Sequence, residues 1–216
     1  SHGNMPAVAT TPMVATPYVP PPAPDRQLQA DDEMARDGVG FRRLRSCFVS
    51  SDECALLRSA MTLSMLGAFR RGGQTTLSVV PALVDRLRAA TGSDAAYCAL
   101  HAMLERAAAA AASDAASAGV CTSLYHRGAL LVRLTPPESA DELAPACFAL
   151  PAEQDYWEPH VDKHNAAQYD VSAVLYLSTQ GEQFEGGDFR FHDQGGDVSV
   201  APRAGHLLTF SSGGEN

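Results

Sequence analysis

The apolar positions are spaced with a helical period in the N-terminal half of the chain and alternate in the C-terminal half. The segment Ser50-Ser51-Asp52-Glu53 has the form of a helix capping box and precedes an apolar run, which predicts a helix over about 51–70. Apolar residues at helical spacing predict a second helix over 79–90 and a third over 94–112. The helical part of the chain is therefore expected to end near residue 117.

The pattern of the C-terminal half of the chain predicts short strands. Apolar residues alternate at positions 130, 132 and 134, and further strands are predicted at 157–162, 171–178, 188–192, 197–201 and 206–211. Turn-forming glycine and proline residues separate them. Helices followed by many short strands favour an α+β fold that contains a barrel or a jelly roll.

Three segments differ in composition. Residues 1–5 resemble a remnant of tag cleavage, so we expect the natural N-terminus to lie elsewhere. Residues 6–40 are predicted to be a proline-rich tail or linker, because 7 of the 14 prolines lie in 6–24. Residues 41–216 are the predicted globular domain.

The charge and the cysteine content narrow the function classes. Residues 1–135 contain 13 arginines and 11 acidic residues, a net of +2, whereas residues 136–216 contain 3 basic and 14 acidic residues, a net of −11. The acidic half argues against a protein whose main role is to bind nucleic-acid phosphates. Five cysteines without a C-x-x-C pair argue against a zinc ribbon and leave one or two disulfides open. No apolar run approaches the length of a membrane span.

The sequence Tyr156-Trp157-Glu158-Pro159-His160-Val161-Asp162 contains the main candidate site. On a strand, His160 and Asp162 would point to the same face. An imidazole and a carboxylate on one face supply two members of a 2-His-1-carboxylate triad, which suits Fe(II). The alternative is a histidine that only hydrogen-bonds the aspartate.

The motifs around this pair resemble those of the Fe(II)/2-oxoglutarate-dependent dioxygenases of the prolyl 4-hydroxylase type. The motifs are a Leu-Tyr-Leu-Ser strand at 175–178, Gly186-Gly187, and Pro202-Arg203-Ala204-Gly205 before the last strand. Within this group the chain is most similar to the 2-oxoglutarate and iron-dependent oxygenase domain-containing proteins. The resemblance covers residues 150–216 well and residues 41–135 loosely.

The resemblance implies a double-stranded β-helix, or jelly roll, with the N-terminal helices packed on it. It implies Fe(II) and 2-oxoglutarate as cofactors, with ascorbate as a further candidate. His160 and Asp162 match metal ligands, and no further catalytic residue is assigned. Tyr176 matches a tyrosine that binds the distal carboxylate of 2-oxoglutarate, although it also reads as a core strand residue. Trp157 is a candidate wall of the substrate groove.

The family pattern requires a third ligand, a histidine, and then a basic residue for 2-oxoglutarate. By that pattern, we expect the histidine about two residues beyond Asn216. His164, His192 and His206 are less favoured substitutes within the chain.

The resemblance favours hydroxylation of a peptidyl side chain, with proline as the first choice and a proline-rich polypeptide as the partner. It also favours the secretory pathway, with a candidate membrane anchor upstream. Two alternatives are a nucleic-acid demethylase of the same superfamily and a non-catalytic jelly-roll binding module.

Overall fold

The computed structural model describes residues 26–29, 33–36, 40–63, 69–71, 74–78, 94–120, 123–134, 159–165, 167–193 and 196–213. These residues form helices α1 Ser51–Leu63, α2 Asp94–Ser117 and α3 Asp162–Asn165. Their strands are β1 Arg26–Gln27, β2 Glu33–Arg36, β3 Gly40–Arg45, β4 Phe69–Arg71, β5 Gln74–Ser78, β6 Leu130–Leu134, β7 Val171–Leu175, β8 Phe189–Phe191, β9 Val198–Val200 and β10 Leu207–Ser211.

Helix α1 begins at the predicted capping box. The Glu53 N–H donates to Ser50 Oγ at 3.2 Å, and the Ser50 N–H donates to Glu53 Oε2 at 2.8 Å. This second hydrogen bond lowers the pKa of Glu53 from its ordinary value. The helix ends at Leu63 and not near residue 70, because Phe69–Arg71 forms strand β4 and pairs with β5. Strand β4 pairs with the adjacent β5, and β5 pairs with the distant β6, so pairing within this sheet outweighs local helix propensity.

Helix α2 confirms the predicted third helix and ends at Ser117, as expected for the helical part. The predicted helix over 79–90 lies outside the described residues. No helix in the described part of the chain is long and apolar enough to cross a bilayer. The described cysteines Cys47, Cys54 and Cys98 are free thiols.

The described strands form three sheets. The central sheet has the order β2-β3-β10-β7 and is antiparallel throughout. The facing sheet has the order β1-β9-β8, with β1 parallel to β9 and β8 antiparallel to it. The third sheet, β4-β5-β6, is antiparallel. The described strands do not close into a barrel, so closure into a jelly roll stays a prediction.

The strand predictions at 130–134, 171–178, 188–192, 197–201 and 206–211 are confirmed as β6 to β10. The strand predicted over 157–162 is wrong where the structure describes it, since residues 159–161 are irregular and Asp162 begins α3. Residues 157 and 158 lie outside the described residues.

The predicted linker 6–40 contains two of the strands. Strand β1 pairs with β9, β2 pairs with β3, and Leu28 is 2% exposed in the core. The predicted domain start at Phe41 is therefore too late. The partner of β1 is more than 170 residues away in sequence, so local composition does not reveal this strand. Strand β2 pairs with β3, the next strand along the chain.

The two faces of the central sheet have different neighbours. On the inner face, towards the facing sheet, buried apolar residues from both sheets form one cluster: Leu28, Leu44, Phe191, Val198, Val200, Leu208 and Phe210. On the outer face, residues of α1, α2 and β6 form a second cluster with Val49, which precedes α1. The members from these elements are Cys54, Leu57, Leu100, Met103 and Leu131. The alternation of side chains along each strand produces this division.

A buried carboxylate joins helix α2 to the outer face of the central sheet. Asp114 is 1% exposed and accepts hydrogen bonds from Thr209 Oγ1 at 2.7 Å, Arg43 Nη1 at 3.1 Å and Arg45 Nε at 3.2 Å. Ion pairs and a hydroxyl thus fix the position of the helix relative to β3 and β10.

A buried ion pair links the central sheet to the chain after β8. The Arg42 guanidinium donates to both carboxylate oxygens of Asp193, at 2.6 and 2.8 Å, and both side chains are 2% exposed. The guanidinium also lies over the Phe191 ring, 3.9 Å from its centroid. The pair therefore fixes the spacing between the two sheets.

A glycine turn anchors the backbone of Tyr176. Gly205 has φ +85°, and its N–H donates to the Tyr176 carbonyl at 2.9 Å while its own carbonyl accepts from the Phe48 N–H at 2.7 Å. A Cβ at this position would lie 2.5 Å from the Val49 carbonyl oxygen. The Pro-Arg-Ala-Gly turn thus requires glycine for both reasons.

We expect Asp193→Ala to lower the free energy of unfolding by about 3–5 kcal/mol, because Arg42 stays buried without this carboxylate. Urea denaturation measures the effect. The double variant Arg42→Met/Asp193→Leu should be more stable than either single change, since it removes both charges. A loss below about 0.5 kcal/mol for Asp193→Ala would contradict the proposed role of the pair in joining the sheets.

Gly205→Ala should lower the unfolding free energy by more than about 2 kcal/mol, since it adds a clash to the cost of a positive φ. Gly181→Ala is the matched control, because Gly181 has φ +80° and open space around its Cβ position. Equal losses in the two variants, measured by urea denaturation, would show that the Val49 contact has no effect.

Candidate metal site

His160 and Asp162 lie beside each other at the start of α3. His160 Nε2 is 3.6 Å from Asp162 Oδ1, and the side chains are 47% and 32% exposed. The predicted proximity is therefore present, but an irregular segment that leads into α3 produces it and not a strand. Asp162 occupies the first position of α3, where a carboxylate is favoured by the helix N-terminus, and the His164 N–H donates to the Val161 carbonyl at 2.9 Å.

Two serines support the carboxylate of Asp162. The Ser172 hydroxyl donates to Asp162 Oδ2 at 2.5 Å, and Ser172 Oγ lies 2.7 Å from Ser212 Oγ. Sequence reasoning missed both serines. The available signal was the strand pattern, which places Ser172 on the same face of β7 as Val174 and, just beyond the strand, Tyr176.

The backbone of Ser212 connects three segments around the site. Its N–H donates to the Asp170 carbonyl, and its carbonyl accepts from the Lys163 N–H, both at 3.0 Å. Lys163 Nζ also pairs with Asp170 Oδ1 at 3.0 Å. The end of β10 thereby holds the beginning of α3 against the beginning of β7.

The donor set fits a first-row metal ion as far as the described residues extend. Imidazole nitrogen and carboxylate oxygen bind such an ion at about 2.0–2.2 Å, so two donors of one ion lie at most about 4.4 Å apart. The distance of 3.6 Å between His160 and Asp162 satisfies this limit. The described residues contain no cluster of three or more His, Cys, Asp or Glu residues that could hold a metal. The role of His160 and Asp162 as metal ligands stays a prediction.

The histidines considered as substitute ligands do not join this pair in the structure. His206 precedes β10, six residues before Ser212, or roughly 20 Å along an extended chain. His192 Nδ1 pairs with Asp197 Oδ2 at 3.0 Å after β8. His164 is exposed within α3. None of the three completes a metal cluster with His160 and Asp162.

Tyr176 follows β7 and packs against the inner apolar cluster. It is four residues from Ser172, which corresponds to roughly 13 Å along the strand. Its N–H donates to the His206 carbonyl at 2.9 Å, so the pairing of β7 with β10 fixes its backbone. The inner face of the central sheet thus carries Ser172 at one end and Tyr176 at the other.

The Gly186-Gly187 motif forms a tight turn before β8. Both glycines have positive φ, 70° and 77°, which other residues adopt at a cost. Gln180 Nε2 donates to the Gly186 carbonyl and to Asp188 Oδ1, each at 2.9 Å. The motif therefore directs the chain into the facing sheet. Trp157, the candidate groove residue, lies outside the described residues.

Comparison with known proteins agrees with the resemblance. Residues 147–216 match the family model described as the 2OG-Fe(II) oxygenase superfamily. No solved structure matches the chain significantly.

Three curated relatives share one name, "2-oxoglutarate and iron-dependent oxygenase domain-containing protein 3". The proteins of Homo sapiens and Xenopus tropicalis are 45% identical over 65 residues, which are 30% of this chain and 20% of each relative. The protein of Mus musculus is 44% identical over 88 residues, 41% of this chain and 28% of the relative. The matched part thus spans less than a third of these relatives. The resemblance to 2OG-Fe(II) oxygenases is confirmed, and the residues matched by the family model, 147–216, include His160, Asp162 and Tyr176.

Proposed function

We propose that this protein is an Fe(II)/2-oxoglutarate-dependent dioxygenase that hydroxylates a peptidyl side chain, with proline as the first choice. The observation that carries the proposal is the 3.6 Å distance between His160 Nε2 and Asp162 Oδ1. This pair lies within the segment that matches the 2OG-Fe(II) oxygenase superfamily.

In this proposal, His160 and Asp162 hold Fe(II) through a neutral imidazole nitrogen and an ionised carboxylate oxygen. The iron, when bound, supplies the oxidative chemistry in which O2 and 2-oxoglutarate convert a substrate C–H group to C–OH and release succinate and CO2. One atom of O2 enters the new hydroxyl group, and the other enters succinate. Two protein ligands and one further histidine leave coordination positions open for both cosubstrates.

The remaining residues of the site bind, orient and exclude water. Tyr176 is our candidate for binding the distal carboxylate of 2-oxoglutarate, because it lies on the same face of the central sheet as Ser172. The apolar cluster on that face, which includes Phe189, Phe191 and Phe210, keeps water out of the space between the two sheets.

The charge distribution supports a polypeptide substrate. Residues 136–216 carry a net charge of −11, which disfavours nucleic-acid phosphates and is compatible with a neutral or basic peptide. Proline-rich peptides are extended and have no internal hydrogen bonds, so their ordering on binding costs little entropy. These considerations favour proline over a methylated nucleotide.

In the full-length protein, we expect His160→Ala to reduce succinate release by more than about 100-fold, since it removes a metal ligand. The melting temperature of the metal-free protein should change little, because the His160 side chain is 47% exposed and outside both apolar clusters. His192→Ala is the matched control, since His192 is 43% exposed and also beside an aspartate. Turnover by His160→Ala equal to that of His192→Ala would contradict the assignment.

Mass spectrometry of candidate substrates tests the substrate class. Proline-rich peptides, lysine-bearing peptides and methylated oligonucleotides are each incubated with full-length protein, Fe(II) and 2-oxoglutarate. We expect a gain of one oxygen atom on the proline-rich peptide. Oxygen incorporation on lysine alone, or demethylation of the oligonucleotide, would refute proline as the target and leave the cofactor chemistry in place.

A further inference from the structure

We infer that Ser172, assisted by Ser212, is a positioning residue that fixes the two oxygens of the Asp162 carboxylate in different roles. Oδ2 is held by the protein, and Oδ1 is presented beside His160 to the metal. The inference rests on the proposed function, because it assigns a role towards the metal that His160 and Asp162 would bind.

The direction of the hydrogen bonds follows from the chemistry of the groups. An ionised carboxylate can only accept, so the single hydroxyl hydrogen of Ser172 must be directed at Asp162 Oδ2, 2.5 Å away. Ser172 Oγ then has only lone pairs for Ser212. The 2.7 Å contact between the two hydroxyls is therefore donated by Ser212. The result is a directed chain from Ser212 through Ser172 to the carboxylate, in which each bond strengthens the next.

The two hydroxyls belong to rigid parts of the structure. Ser172 lies in β7, paired with Phe210 of the neighbouring β10. Ser212 is 2% exposed, and both its N–H and its carbonyl are hydrogen-bonded, to Asp170 and Lys163. The pairing of β7 with β10 therefore sets the position of Ser172 Oγ. A carboxylate held from such a frame loses little entropy when a metal binds.

The orientation of the carboxylate matters because its torsion is otherwise soft. The terminal torsion of an aspartate is broad and roughly two-fold, so a carboxylate without this bond can exchange its oxygens or present both to a metal. With Oδ2 engaged by Ser172, the oxygen that faces His160 Nε2 is Oδ1. One-oxygen binding keeps coordination positions free, which the proposed reaction needs for 2-oxoglutarate and O2.

The test measures metal affinity directly and does not depend on turnover. Full-length wild-type protein, Ser172→Ala and Ser172→Thr are titrated with Co(II) without oxygen, and binding is followed by the visible absorption of the bound ion. Ser172→Ala should weaken Co(II) binding by about 10–100-fold, the usual effect of losing a hydrogen bond to a metal ligand. Ser172→Thr retains the hydroxyl and should remain within about 3-fold of wild type.

Ser199→Ala is the matched control for removal of a serine hydroxyl in a strand. Ser199 lies in β9 and is 3% exposed. Its neighbours Val198 and Val200 belong to the inner cluster, so the Ser199 side chain lies on the opposite face of the facing sheet. We expect its Co(II) affinity to equal that of wild type. The melting temperature of each metal-free variant separates a loss of metal binding from a loss of folding. If Ser172→Ala does not fold, Ser212→Ala takes its place. This variant removes the first donor of the same series of hydrogen bonds and should weaken Co(II) binding by several-fold.

Each outcome decides between the hypotheses. If Ser172→Ala folds and binds Co(II) as tightly as the wild-type protein, the positioning role is overturned and the proposed function is left intact. If Ser172→Ala does not fold, wild-type Co(II) affinity in Ser212→Ala has the same meaning. Equal losses of affinity in Ser172→Ala and Ser199→Ala would show a general structural effect and also overturn it. Absence of Co(II) binding by the wild-type protein overturns both the inference and the proposed function.

Discussion

One row of residues across the central sheet connects the buried interior to the candidate metal site. In the strand register, Arg42 of β3 lies opposite Phe210 of β10, and Phe210 lies opposite Ser172 of β7. At one end, Arg42 forms the fully buried ion pair with Asp193, which ties the central sheet to the facing sheet. At the other end, Ser172 holds the Asp162 carboxylate. Because strand register fixes this row, the geometry of the site depends on the pairing of β3, β10 and β7.

Strand β10 also explains why the helices and the site are coupled. Thr209 lies between Leu208 and Phe210, and its hydroxyl donates to Asp114 of α2 on the outer face. Thr209 therefore binds α2 on the outer face of the central sheet, while its neighbours Leu208 and Phe210 belong to the inner cluster on the other face. Each buried charge, at Asp114 and at Asp193, has arginine partners, which offsets the cost of its desolvation. The alternation of side chains along a strand makes both contacts possible within three residues.

The site illustrates how sequence can predict proximity for the wrong structural reason. The H-x-D spacing predicts two residues on one strand face, whereas an irregular segment and the first position of α3 bring His160 and Asp162 together. Either local structure can place residues i and i+2 close to each other, so the spacing alone could not distinguish them. The supporting serines are separated by 40 residues, and only the pairing of β7 with β10 brings them into contact.

The sequence by itself determined those features that depend on neighbouring residues. These are the capping box at Ser50 and Glu53, the helix that ends at Ser117, the alternating strands β6 to β10, the glycine turns, and the motifs that indicate a 2OG-Fe(II) oxygenase. Tertiary structure decided which distant segments meet. It placed β1 beside β9 although β1 lies in a predicted linker, joined β5 to β6, and paired Arg42 with Asp193 and Ser172 with Asp162. The physical reason is that hydrogen bonds between distant strands and buried ion pairs gain their free energy only when the chain is folded.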